Sequence, residues 1–113
     1  MFEIKFHDAF KEELKSLPDS LELRMVALIK RLRENPTSLR EPHSKPIEGY
    51  KGLFELRAKA KAKDGIARSF FCYAAGKKIY LLRCFVKKNN TTPLNELRIA
   101  IARRNELTEP SRD

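Results

Sequence analysis

The chain has only two cysteines and no apolar run near the roughly 18 residues that cross a bilayer. Cys72 and Cys84 are too far apart for a CxxC motif, and no second Cys pair or cluster of His completes a zinc site. Both are therefore read as reduced, buried, apolar side chains. Met1 to Phe10 mixes Glu3, Lys5, His7 and Asp8 among its apolar residues, which is unlike a signal peptide. The cytoplasm is the expected location, with no membrane partner. Carboxylates are not clustered along the sequence, so neither a two-metal nuclease nor a carboxylate dyad is suggested, and no metal or cofactor is expected. Internal repeats and long low-complexity segments are also lacking.

What is abundant is positive charge. Lys plus Arg number 24 against 15 Asp plus Glu, for a net +9 over 113 residues. Such an excess speaks to partners rather than to fold, and a polyanion is the natural one. With 42% hydrophobic residues the chain has enough apolar material for one modest core, so general disorder is disfavoured. A folded basic domain of this kind fits three roles: a nucleic-acid-cleaving enzyme, a non-catalytic nucleic-acid binder, or a protein whose basic face docks an acidic partner.

The period of the apolar residues orders the elements. Phe2, Ile4 and Phe6 alternate with Glu3 and Lys5, as in a half-buried strand. Phe6, Phe10, Leu14 and Leu17 then recur at helical spacing until Pro18 interrupts. Asp19 is expected to cap a second helix, with Glu22 reaching back as in a capping box. Leu21, Met25, Leu28, Ile29 and Leu32 form its apolar stripe, and Asn35-Pro36 closes it. Arg24, Lys30, Arg31 and Arg33 make its other face basic, which reads as a solvated face or as a contact for nucleic acid. Pro36 to Gly52, with three prolines and two glycines, reads as an irregular crossing. Leu53 to Arg57, Ile66 to Tyr73 and Lys78 to Lys87 alternate again and predict an antiparallel meander. A hairpin turn is expected at Ala74 to Lys77, and an exposed basic tip between Ala58 and Gly65. Thr92-Pro93 opens a last helix carrying Leu94, Leu97, Ala100 and Ile101. The expectation is one α+β domain over residues 1–107, ordered β-α-α-β-β-β-α, with a mainly antiparallel sheet, helices packed on one face and a frayed tail over 108–113.

Four stretches carry a resemblance: Ile47-Glu48-Gly49-Tyr50-Lys51-Gly52-Leu53-Phe54-Glu55-Leu56-Arg57, Asp64 to Phe71, Leu81 to Lys88, and Thr92-Pro93. In this order and spacing they resemble the phage-derived Gp49-like/HigB branch of the RelE/ParE toxin superfamily. The resemblance implies a RelE-like domain and an endoribonuclease that cuts messenger RNA, often in the ribosome, neutralised by a helix-turn-helix antitoxin. A ParE-like inhibitor of DNA gyrase, sharing the fold, and a plain RNA-binding module are the alternatives. Several RelE-like enzymes carry a catalytic tyrosine near the C-terminus, whereas here no tyrosine follows Tyr80.

RNA cleavage of this class needs a base for the 2′-hydroxyl proton, positive charge on the phosphoryl oxygens and an acid for the leaving oxygen. Arg57, Arg68, Lys87 and Lys88 are the catalytic candidates, because a meander brings the end of one strand, the start of the next and the end of the third to one sheet edge. Arginine would hold the phosphate, and a lysine crowded by Arg68 would lose its proton more readily. RNA contact is expected of Arg83, Tyr73, Lys61 and Lys63. Arg83, inside an otherwise apolar strand, reads equally as a satisfied structural cation. Tyr73 and Phe71 are candidates for base stacking, Phe71 reading rather as core. His7 and His43, the only histidines, share no motif that would make them an acid–base pair.

Overall fold

The computed structural model describes residues 1–60, 65–87 and 93–108. Strand β1 (Glu3–Phe6) leads into helix α1 (Phe10–Lys15) and helix α2 (Asp19–Glu34). A short 3-10 turn (Pro36–Ser38) follows, then β2 (Ser44–Pro46), β3 (Phe54–Lys59), β4 (Ile66–Ala74), β5 (Lys78–Lys87) and helix α3 (Leu94–Thr108). The α+β class and the strand meander are as the sequence predicts. The short β2, paired to β3 within the proline-rich crossing, is an element that the apolar pattern does not show.

The five strands lie in the order β1-β5-β4-β3-β2, antiparallel except for β1, which runs parallel to β5. The chain enters the sheet beside β5, crosses one face through α1 and α2, and resumes at the opposite edge with β2. The β4–β5 hairpin turns between Ala74 and Lys78, where Gly76 and Lys77 take positive φ values of 79° and 55°. Pro18 precedes α2, and its carbonyl accepts the amides of Leu21 and Glu22, both at 2.9 Å. Asp19 is thus the first helical residue rather than the expected cap, and no side chain caps this end. Its charge still favours the positive end of the helix dipole.

Helices cover both faces of the sheet, which corrects the expectation of one. Phe10, Leu21, Met25 and Leu32 of α1 and α2 pack on Leu56, Phe71, Ile79 and Leu81. On the other side Leu97 and Ala100 of α3 pack on Phe70, Leu82 and Phe85, with Ile47 and Leu53. The reason lies in doublets such as Phe70-Phe71 and Leu81-Leu82. Successive strand residues point to opposite faces, so each doublet makes both faces apolar. Each large side chain left in water would forfeit about 1.5–3 kcal/mol, and α3 supplies the second cover. Residue 108, the expected start of the frayed tail, is the last of α3, and the remainder, 109–113, lies outside the described residues.

Candidate active site

On the face covered by α3, the ends of three strands place charge among apolar neighbours. Leu56 and Ala58 point toward α2, so Glu55 and Arg57, alternating with them, point the other way. In the ladder Arg57 is opposite Arg68, Arg68 is opposite Phe85, and Lys87 stands two residues beyond Phe85 on the same face. Directly opposite residues lie about 4.5–5.5 Å apart at Cβ, where like charges repel. The predicted convergence of Arg57, Arg68 and Lys87 is therefore what the strand register builds.

The site is dry. Relative exposure is 1% for Glu55, 3% for Arg68 and 5% for Lys87. Glu55 answers the cations from below: its carboxylate accepts from Arg68 Nη1 at 3.2 Å and lies 3.8 Å from Lys45 Nζ. Lys87 Nζ and the Nε atoms of Arg57 and Arg68 are buried with no hydrogen-bond partner among the described residues. Burial, and then repulsion from Arg68, push the Lys87 amine down to about 8; Arg57 and Lys45 add to the shift and Glu55 opposes it. Burial likewise lowers the Arg68 guanidinium from its usual value, against the attraction of Glu55. Cations left with buried, unsatisfied N–H groups are costly to a fold. They are what a site needs whose missing counter-charge is an anionic ligand.

Glu55 and Lys45 are members of the cluster that the sequence reading missed. Glu55 left a signal, because a carboxylate that alternates with Phe54 and Leu56 must share a face with Arg57, two residues on. Lys45 left none, since only the pairing of β2 with β3 brings it near. Among the described residues, no three of His, Cys, Asp and Glu converge as a metal's ligands would.

Arg83 lies apart from this cluster in a closed network. Strand β1 stops pairing with β5 at Leu81, so the β5 edge beyond it needs other partners. Glu13 of α1 accepts the Cys84 amide at 3.1 Å, and Arg103 of α3 donates to the Leu82 carbonyl at 2.9 Å. Arg103 also binds Glu13, and Arg83 is held between Glu13 and Glu96, the latter at 2.7 Å. Burial raises the Glu13 carboxyl, yet hydrogen bonds from Arg103, Cys84 and Arg83 win and hold it below its usual value. Of the two readings left open for Arg83, the geometry matches the structural cation, tying α1 and α3 to β5.

Tyr73 is also separated from the cluster. It sits at the far end of β4, on the other face, edge-on to Phe2, Phe54 and Phe71 at centroid distances of 5.8, 5.4 and 5.8 Å. Phe71 is core, as expected. His7 accepts the Ala9 amide and binds Glu106, whereas His43 lines a different cavity, so the two do not form a pair. Cys72 and Cys84 are free and buried, and burial raises both thiols, Cys84 to about 11. Lys61, Lys63 and Lys88 lie outside the described residues. The basic residues of α2 are exposed, and Arg24 and Arg31 rim a groove of about 490 Å³ shared with Arg57.

Residues 12–105 match the family described as Phage derived protein Gp49-like (DUF891). The chain belongs to that family. Two solved structures share the architecture of this Gp49-like domain. An arginine-to-alanine double mutant of the E. coli toxin RelE, in the free state, superposes with a TM-score of 0.65 at 12% identity, over 90% of this chain and 96% of that one. RelE in the archaeal RelE–RelB complex from Pyrococcus horikoshii gives a TM-score of 0.57 at 21% identity, over 79% of this chain and 98% of its own. At these identities the likeness is one of fold. No curated protein sequence matches the chain. No helix among the described residues is long and apolar enough to cross a membrane.

Proposed function

We propose that this Gp49-like protein is the toxin of a type II toxin–antitoxin pair, a metal-independent endoribonuclease that cuts messenger RNA at the ribosome. The observation that carries the reading is the buried Lys87 amine beside Arg68 and Arg57, which among the described residues has no hydrogen-bond partner and only the Glu55 carboxylate acting on it. A phosphodiester supplies the absent negative charge. The 2′-oxygen attacks the adjacent phosphorus as the bond to the 5′-oxygen breaks, leaving a 2′,3′-cyclic phosphate and a 5′-hydroxyl. Lys87 takes the 2′-hydroxyl proton. With its pKa near 8, roughly a tenth of the amine is neutral at pH 7, against less than a thousandth for an ordinary lysine. Arg68, fixed by Glu55, and Arg57 stabilise the charge growing on the phosphoryl oxygens. The leaving oxygen takes a proton from solvent. Lys88, next in sequence, is a further candidate cation, and Lys61 and Lys63 are candidate RNA contacts in the β3–β4 connection.

The archaeal RelE was solved with RelB, which supports a protein antitoxin here too, of the helix-turn-helix kind and acidic enough to complement a net +9. Primer extension on cellular transcripts after brief induction tests the reading. Discrete new 5′ ends within translated messages are expected, and they should be absent with Arg68→Ala. Growth arrest without new ends would overturn it in favour of gyrase poisoning.

A further inference from the structure

The segment Ile47 to Gly52 builds a loop whose role in the site is unassigned. Positive φ values at Gly49 (85°) and Gly52 (81°) require glycine there, because a Cβ at either position would meet nothing within 4 Å and only the backbone conformation explains the residue. The Ile47 amide donates to the Leu53 carbonyl at 2.9 Å, the Tyr50 amide to Ile47 and the Leu53 amide to Tyr50, both at 3.1 Å. So folded, the loop packs the Tyr50 side chain, partly buried, against the core beneath α3.

Tyr50 there forms one wall of a cavity of about 540 Å³, ample for a nucleobase, whose other walls include Pro46 and the exposed Leu94. Glu55 and Lys45 belong both to this cavity and to the charged cluster, so the two spaces adjoin. Exposed Glu41 and Glu48 also line it. These carboxylates repel phosphate, whereas the neighbouring cations attract it. A nucleotide bound across both would put its phosphate on Arg68 and its base beside Tyr50.

We propose that this cavity is a nucleobase subsite that prefers guanine. The inference rests on the reading of the adjoining cluster as a phosphoryl site. Tyr50, Pro46 and Leu94 offer the flat apolar contact that unstacked bases take on proteins. Carboxylates are acceptor-only. Guanine alone among the four bases turns two adjacent donors, N1–H and N2–H, toward a single carboxylate, while adenine, cytosine and uracil offer one donor group each. Because Glu41 and Glu48 are exposed, water replaces a missing donor, and the preference is the gain from one further hydrogen bond to a charged group.

Isothermal titration of the whole protein with inorganic phosphate and the four nucleoside 3′-monophosphates tests it. Guanosine monophosphate is expected to bind at least about tenfold more tightly than inorganic phosphate or uridine monophosphate, the order of one hydrogen bond to a charged group. Glu48→Gln with Glu41→Gln should remove the guanine preference, and Tyr50→Ala the advantage of every nucleotide over phosphate; Tyr50→Phe should keep that advantage. Tyr50→Ala and Tyr50→Phe should bind inorganic phosphate as wild type does, which also certifies their folding, and the glutamine double variant should bind it at least as tightly, because it loses two carboxylates that repel phosphate. Equal affinity for phosphate and all four nucleotides overturns the subsite and leaves the phosphoryl site standing. Failure of phosphate and nucleotides alike to bind overturns both.

Discussion

Two charged clusters meet strand β5 in this molecule, and they are built on opposite principles. Around Arg83, two arginines and two carboxylates close on one another and on the free edge of β5. Around Lys87, Arg57, Arg68 and Lys45 crowd a single carboxylate among the described residues, and buried nitrogens lack partners there. A satisfied network of this sort holds elements in register. An unsatisfied one works against the fold, and that imbalance is what a ligand of opposite charge can relieve.

The largest expected effect comes from breaking the open cluster. Arg68→Ala should slow single-turnover cleavage by about 10²–10³-fold, the loss seen when one preorganised donor to a developing charge is removed. Lys87→Arg, which keeps the charge but does not deprotonate, should fall as far. Arg83→Ala, scored per folded molecule, should leave the chemical step within a few-fold of wild type. If Arg83→Ala abolishes cutting in a protein that melts normally, the division between the clusters is wrong.

Stability should move the other way. The folded pKa of Lys87 is depressed to about 8, so the native state gives up a proton that the unfolded chain keeps up to about 10.5. Its charge therefore destabilises the fold fully below pH 8, and the penalty fades as pH rises toward 10.5. A shift of that size corresponds to about 3 kcal/mol. Lys87→Met should raise the unfolding free energy at pH 7, read from urea melts, by up to that amount while abolishing activity; an unchanged or lower value would show that the charge is matched.

In the closed cluster the same removal of charge should be harmful. Glu13→Gln leaves Arg83 and Arg103 short of their shared acceptor, and a loss of about 2 kcal/mol is expected from urea melts, less than for a fully buried pair because all three groups retain some exposure. Because the folded Glu13 pKa is depressed, its contribution is present above the unfolded carboxylate pKa and is lost on acidification, so variant and wild type should converge at low pH.

The smallest effect tests how the open cluster tunes its base. The rate, kcat/KM, should climb with pH and level off above about 8. Arg57→Gln removes one of the repulsions on Lys87 and should move the midpoint upward by a fraction of a pH unit. A midpoint that stays in place would assign the titration to another group.

The sequence alone determined the order of the elements apart from the short β2, since alternation and helical spacing are local, and it marked Arg57, Arg68 and Lys87 as neighbours because a meander has only one way to bring those strand ends together. It also carried the family, in the spacing of short motifs from Ile47 to Pro93. It did not separate the roles of similar cations. Arg83 and Lys87 share a strand and differ by four positions, yet one meets Glu13 and Glu96 from helices at the two ends of the chain, and the other meets Arg68. Nor did local pattern reveal that α3 covers the second face, that Lys45 reaches Glu55 through the short β2, or that the Gly49 turn aims Tyr50 at a cavity. Those depend on which residues distant in sequence share a buried volume. Charge is costly only where water is excluded, and the exclusion is made by the packed sheet and helices together.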